Sequence, residues 1–387
     1  MNSDLQARQR LSEWLKTQLP DEDNVRIDGL DHLQVGHSAE TISLTIASGE
    51  PNATNRRRVV LRMRPRPPAL LEPYDLTRQF EILEALQRTP VRTPHPLWLE
   101  ASGDVLGRPF FVMEHLDGTV YELTAPEGPN ATTERLHGMC QSMAEQLAAI
   151  HTVDLHRTGL ERLDNGQDHL RRELRRWGGE LLRVRRGPLP ALELLMHELT
   201  NTTPPQCPQI TLVHGDPKPG NFAFVDENVS AVFDWELTTV GDPLTDIGWM
   251  ELLWMQPVGL TSHPSAPTIE QFLAIYQAAS GITLANRPWY RALNAFKMAV
   301  ICLIGAKLLE DGVTNDERFI TNASGIALLT ELGLADLNID ERPDTGPVMP
   351  SDERIEQIRM QAGDPLRRQH TEPKQTQPAD MHRRRPR

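Results

Sequence analysis

A chain of 387 residues, 39% hydrophobic and 24% charged, is long enough for one large domain or two medium ones and apolar enough for a core. Its formal net charge of −13 argues against a general nucleic-acid binder, for which a basic face would be expected. Cys140, Cys207 and Cys302 are scattered and without metal-ligand spacing, so reduced thiols in a cytoplasmic protein are expected.

The opening "MNSDLQARQRLSEWLKTQLP" has no apolar stretch of the kind a signal peptide carries. Residues 5–19 instead predict a short amphipathic helix with Leu5, Leu11, Trp14, Leu15 and Leu19 on its period. In "TISLTIA", Ile42, Leu44 and Ile46 alternate with Thr41, Ser43 and Thr45, which predicts a half-buried strand. "GEPNATN" is a turn, and "RRVVLRM" a second strand. "YDLTRQFEILEALQ" predicts a helix striped by Leu76, Phe80, Leu83 and Leu86, and "VLGRPFFVMEHL" a further strand.

Past about residue 130 the pattern turns helical. "TTERLHGMCQSMAEQLAAIH" opens on a Thr cap and places Leu136, Met139, Cys140, Met143, Leu147 and Ile150 on one face. Helices are also predicted over 165–186, 189–201, 245–256, 268–279 and 288–311. The longest apolar run, "MAVICLIGA" at 298–306, is too short for a bilayer, so no membrane is expected. Only 210–234 interrupts the helices, with "ITLV", "FAFV" and "SAVF" between turns. From 341 the chain becomes rich in Pro, Gln, Arg and Asp, which predicts a disordered tail over 341–387. The expected organisation is a small β-rich lobe over 1–116 and a mainly helical lobe over 117–340.

Within 211–250 polar side chains are unusually dense. "ITLV" delivers His214-Gly215-Asp216 from a strand end, two prolines stiffen the loop, and Asn221 follows. A second pair of strands leads to Asp234. Asn221 and Asp234 make a hard-oxygen pair suited to Mg²⁺, which keeps waters and borrows further ligands from phosphate. Asp216 is placed to accept a hydroxyl proton, and Lys218 supplies a point charge for a transferring phosphoryl group. These are the parts phosphoryl transfer needs.

"HGDPKPGN" resembles the protein-kinase catalytic loop with Gly in place of Arg. With "DWE" and "GDPLTDIG" after it, the stretch resembles the aminoglycoside phosphotransferase and choline kinase-like family, closest to the group that includes kinase-like domains of some acyl-CoA dehydrogenases. The resemblance spans roughly residues 30–335 and implies an α+β, two-lobed protein kinase-like fold. It implies Asp216 as catalytic base or hydroxyl-orienting group, Asn221 and Asp234 as Mg²⁺ ligands, His214 as buttress, and Asp246 as the tie that holds the loop backbone. It further implies Arg62 on the nucleotide's phosphates, and the backbone of Glu114, His115 and Leu116 as a hinge for adenine. ATP or GTP would be the donor and a small hydroxylated molecule the acceptor.

Three departures stand out. The helix that normally offers a Glu to the phosphate-binding cation carries Gln79, with Glu81 two residues on, which leaves open what orients Arg62. The phosphate-covering loop "QVGHSAET" has one glycine, Gly36, and Ser38 as a possible hydroxyl donor. Only eleven residues separate Asp234 from Asp246, with no platform for a protein substrate.

Blander readings stand beside these. His151, closing its helix, reads as a packed structural histidine. The seven arginines between 171 and 186 read first as a solvated helix face, pairing Arg172 and Arg176 with Glu173 and Glu180. Alternatively they wall an anionic acceptor, a hydroxy acid or hydroxyacyl compound, and repel a polycationic aminoglycoside. Two other functions compete: a nucleotide-binding pseudokinase acting as scaffold or sensor, and a zinc hydrolase, which one clustered histidine hardly supports. Acceptor identity, ATP against GTP, and oligomeric state are not written in the sequence.

Overall fold

The computed structural model describes residues 2–362 apart from 34–38, 51–54, 165, 167, 203–204 and 206–208. Gly36, Ser38 and Cys207 therefore lie outside the described residues.

Helix α1 (Asn2–Gln18), strands β1 (Arg26–Leu33), β2 (Glu40–Ser48) and β3 (Asn55–Met63), helix α2 (Leu76–Leu86), and strands β4 (Pro96–Glu100) and β5 (Phe110–Glu114) build the first lobe. The strands form one antiparallel sheet in the order β1-β2-β3-β5-β4. Side chains alternate between its faces. Val59, Leu61 and Met63 of β3 join Leu44 and Ile46 of β2 beneath Leu11 and Leu15 of α1. Val60 points the other way, into the core shared with α2, alongside Phe111 and Met113 of β5. Arg62, two residues beyond Val60 and in register with Thr41 and Phe111, shares that second face. Strand periodicity alone thus turns this cation toward the second lobe.

Helix α2 starts at Asp75, whose carboxylate accepts the Arg78 N–H at 2.9 Å. Its buried face carries the expected Leu76, Phe80, Leu83 and Leu86, and also Gln79. Strand β1, "RIDGLDHL", was not expected, because two aspartates and a glycine mask its alternation. Pairing with β2 makes it a strand.

The second lobe contains β6 (Thr119–Val120), α3 (Thr133–His151), α4 (Leu155–Thr158), α5 (His169–Val184), α6 (Pro190–Asn201), β7 (Thr211–Val213), β8 (Phe222–Val225), β9 (Asn228–Val232), β10 (Thr239–Gly241), α7 (Leu244–Trp254), α8 (Ile269–Ser280), α9 (Arg287–Glu310), α10 (Arg318–Ser324), α11 (Ile326–Asp336) and α12 (Asp352–Ala362). Two small sheets, β6-β8-β9 and β10-β7, frame the loops of the polar stretch. The fold is α+β, with a small antiparallel lobe and a large, mainly helical one.

Helix α9 runs through the middle of the second lobe, packed by α5, α6, α7, α10 and α11. By length and composition it could cross a bilayer, which the 298–306 run had not suggested, but 72% of its apolar window is buried inside the protein. Helices α10 and α11 were not expected, since Gly325 and Gly333 blur their period. Gly333 lets α11 approach α6: a Cβ there would lie 2.7 Å from Leu195 Cδ2.

The tail requires a correction. Residues 341–362 are structured, with Val348 and Ile358 buried and α12 against the end of α9. Arg354 donates to the Leu309 carbonyl at 2.7 Å, and Ser351 N–H to Glu310 at 2.7 Å. Few apolar residues suffice because polar groups satisfy the carbonyls that a helix end leaves open. Residues 363–387 lie outside the described residues.

Candidate active site

Strand β7 is wholly buried and ends at His214, at 0% exposure. The next peptide turns sharply: Gly215 has φ +88°, and a Cβ there would lie 2.6 Å from the Leu237 carbonyl oxygen. No other residue fits. Asp246, in the first turn of α7, accepts the His214 N–H through Oδ2 and the Gly215 N–H through Oδ1, each at 2.8 Å. This is the backbone tie expected of Asp246.

His151 is packed, as expected, but it is also part of that tie. Its Nε2 lies 3.0 Å from Asp246 Oδ2, and its Nδ1 2.7 Å from the Tyr276 hydroxyl. Burial pushes the Asp246 carboxyl up. The hydrogen bond from His151, with the Gly215 N–H, outweighs burial and holds it below the usual carboxylate range.

His214 joins the two loops of the site. Its Nδ1 accepts the Asp216 N–H at 3.2 Å, so the proton sits on Nε2, which donates to the Phe233 carbonyl at 2.8 Å. The Phe233 N–H in turn donates to the Asn221 carbonyl at 2.8 Å. Asn221 Nδ2 donates to the Asp216 carbonyl oxygen at 2.7 Å and to Asp216 Oδ2 at 3.1 Å, leaving its Oδ1 for a cation. Asp216 Oδ1 is buried without a hydrogen-bond partner. Such an oxygen is costly unless something outside the chain meets it.

Lys218 lies in the field of both Asp216 and Asp234, which places the three groups in one neighbourhood. Its Nζ donates to Glu122 at 2.7 Å. Burial opposes the ammonium, but Asp216 and Glu122 together raise it above the usual lysine range. Asp234 adopts a left-handed backbone, φ 66°, of the kind that collects at functional turns. Burial raises its carboxyl and the charges of Arg62 and Lys218 lower it, with a net lowering.

Arg62 reaches this cluster from the first lobe. It donates to Asp234 at 2.5 Å, to Glu236 at 3.3 Å and to the Tyr74 hydroxyl at 3.2 Å. Neither candidate orienting residue hydrogen-bonds it: Gln79 shares a cavity wall with it, and Glu81 pairs with Arg162 at 2.9 Å. Arg62 and Gln79 line a small interlobe cavity with Leu83, Phe111, Met113 and Asp234. At the expected hinge, the Glu114 N–H is spent on the His95 carbonyl at 2.9 Å, so that donor is not available to a base. His115 and Leu116 lie beyond the strand.

Behind the loop from His214 to Asn221 lies a residue the sequence did not single out. Lys297 of α9 is buried, with Nζ 2.5 Å from the Gly215 carbonyl and over the ring of Trp249 at 4.7 Å. Burial lowers its ammonium against the opposing charge of Glu173, itself half-buried and accepting from Trp177 Nε1 at 2.9 Å. A lysine inside an apolar run was the available signal, since lysine is almost never buried unpaired.

The arginine helix departs from its expected pairing. Arg172 donates to Thr239 and Val240, Arg176 lies over Trp177, and Glu180 pairs with Arg183. Among the described residues no three of His, Cys, Asp and Glu gather as a zinc site would require. The hydrolase reading has no ligand set there. An amide and a carboxylate beside a partnerless carboxylate oxygen instead fit a hard cation such as Mg²⁺, completed by phosphate oxygens.

A small antiparallel lobe, a helical lobe and this acid-and-amide loop between them define a protein kinase-like phosphotransferase fold. The profile of the phosphotransferase enzyme family matches residues 45–293, and the chain belongs to that family. It is 28% identical over 317 residues to acyl-CoA dehydrogenase family member 11 of Rattus norvegicus, covering 77% of this chain and 40% of that protein. It is 31% identical over 258 residues to family member 10 of Mus musculus, covering 63% and 24% respectively. The chain thus spans two fifths or less of the length of these relatives. Among solved structures, a Ralstonia eutropha protein assigned by description to the aminoglycoside phosphotransferases aligns with TM-score 0.69 at 22% identity, over 85% of this chain and 98% of that one. The aminoglycoside phosphotransferase APH(4)-Ia, in complex with ADP and hygromycin B, aligns with TM-score 0.53 at 15% identity, over 84% and 97%. At these identities the structures speak for the fold.

Proposed function

We propose that this enzyme transfers the terminal phosphoryl group of ATP or GTP to the hydroxyl of a small anionic acceptor, a hydroxy acid or hydroxyacyl compound. The reading rests foremost on Asp216, whose buried Oδ1 has no partner within the chain while its backbone is pinned through His214 and Gly215. A carboxylate held this way accepts the acceptor's hydroxyl proton as the oxygen attacks phosphorus. Asn221 Oδ1 and Asp234 would hold Mg²⁺, which would neutralise phosphate charge and align the transferring group. Lys218 lies within the field of both acids and adds positive charge beside the transferred phosphoryl group. Arg62 offers its guanidinium to the remaining phosphates.

Support for an anionic acceptor comes from charge. Arg78 donates to the Thr238 carbonyl, and its guanidinium is pushed down by burial, opposed by Asp75, and pushed down further by the like charges of Arg176, Arg162 and Arg172. This positive field lies over the loop joining Asp234 to α7, and a polycation would be repelled from it. Relatives named acyl-CoA dehydrogenases agree with an acyl-type acceptor. Untargeted metabolite profiling of cell extract incubated with ATP and either the parent or Asp216→Asn tests the reading. A phosphorylated anionic product made by the parent alone supports it, and a cationic product overturns the acceptor class.

A further inference from the structure

A guanidinium that must meet phosphate needs an acid to aim it, and that acid must stay in place when phosphate and metal arrive. Gln79 of α2 is uncharged, and Glu81 is engaged by Arg162 at 2.9 Å. Asp234 does touch Arg62, but as a proposed metal ligand it would surrender its charge to the cation.

Glu236 meets the requirement. Its Oε2 lies 3.3 Å from Arg62 Nη2, with only 9% of its side chain exposed. It stands on a rigid turn: Trp235 before it donates Nε1 to the Val232 carbonyl at 3.1 Å and packs on His214 with ring centres 4.8 Å apart. The Tyr74 hydroxyl accepts from Arg62 Nε at 3.2 Å, on the same edge of the guanidinium as Nη2. Gln79 lines the same interlobe cavity as Arg62.

We infer that Glu236, assisted by Tyr74, is the positioning residue that aims Arg62 at the nucleotide's phosphates, replacing the acid that α2 does not supply. This rests on the reading of Arg62 as a phosphate-binding cation. A second consequence follows from Gln79 lining the same cavity as Arg62. A carboxylate returned to α2 at that position is expected to take the work back.

Calorimetric titration of ADP and ATP, with Mg²⁺ and with EDTA, tests this on Glu236→Gln, Gln79→Glu/Glu236→Gln and Arg62→Met, each checked for parent-like thermal stability. Glu236→Gln is expected to weaken nucleotide binding about 10- to 100-fold, the span of one lost charge-assisted hydrogen bond. The loss should persist in EDTA, and the double variant should recover about tenfold or more. Parent-like binding by Glu236→Gln, beside weak binding by Arg62→Met, overturns the inference and leaves Arg62 in its role. A loss seen only with Mg²⁺, or a folded double variant without recovery, also overturns it, since Glu236 would then act on the metal. Unchanged binding by Arg62→Met defeats the reading of Arg62 itself.

Discussion

His151 Nε2 lies 3.0 Å from Asp246 Oδ2, and the two side chains are 0% and 1% exposed. With the Tyr276 hydroxyl on the opposite ring nitrogen, the imidazole spans from α8 to the carboxylate that holds the catalytic loop. His151→Ala strips a partner from each of two buried polar groups, so a loss of about 1–3 kcal/mol per group is expected in denaturant unfolding. The pH dependence has a definite sign. The folded Asp246 carboxyl sits below its ordinary value, so its contribution is present above the unfolded carboxylate pKa, about 3.9, and is lost as pH falls through the folded value. The stability gap between parent and His151→Ala should therefore narrow below about pH 4. A gap constant from pH 6 to pH 3 would contradict this coupling.

Asp216→Asn should lower kcat by about 10²- to 10⁴-fold with nucleotide affinity near that of the parent. Stability should not fall, because the parent already buries a partnerless carboxylate oxygen at this position. Steady-state kinetics beside a melting curve separates the two effects. Parent-like turnover would remove Asp216 from its assigned role.

At Asp234 the backbone restricts the useful variants. A left-handed φ of 66° is tolerated by Asn better than by Ala, so Asp234→Asn is the cleaner probe. Nucleotide should still raise the melting temperature of Asp234→Asn, but the extra shift that Mg²⁺ gives the parent should vanish. A Mg²⁺-dependent shift equal to the parent's would mean the metal is held elsewhere.

Lys297 is buried, donates to the Gly215 carbonyl and lies in the field of the half-buried Glu173. Lys297→Met leaves the buried Gly215 carbonyl without its donor and removes the charge that faces Glu173, at a cost of about 1–3 kcal/mol, and Glu173→Gln in the same chain should return part of it. Because burial lowers the folded ammonium below its unfolded value, the unfolded chain holds more protons between the two. Parent stability should consequently rise relative to Lys297→Met as pH climbs toward the ordinary lysine range, about 10.4, read by urea midpoints.

Much of this molecule is legible along the chain. The alternation of Ile42, Leu44 and Ile46 is the buried face of β2, and the Thr132 cap with its apolar stripe is α3. The loops carrying His214, Asp216, Asn221, Asp234 and Asp246 come together because short strands and stiff turns leave them little freedom. Strand β1 and helices α10, α11 and α12 were hidden. Strand β1 takes its form from pairing with β2, while α11 and α12 hold good helix formers whose apolar period is interrupted and whose packing partners are distant in sequence.

The partners of the site's charges were hidden for a different reason. Arg62 meets Asp234 across 172 positions and Glu236 across 174, and Lys297 meets Gly215 across 82. Sequence by itself determined the periodicities, the capping residues and the chemical content of the catalytic loops, because these depend on neighbours two to five positions apart. Only the tertiary structure decided which acid holds Arg62, which carbonyl receives Lys297, and why His151 is buried. Those choices are made when strand alternation and helix packing bring distant side chains within hydrogen-bonding range, where burial makes each pairing obligatory.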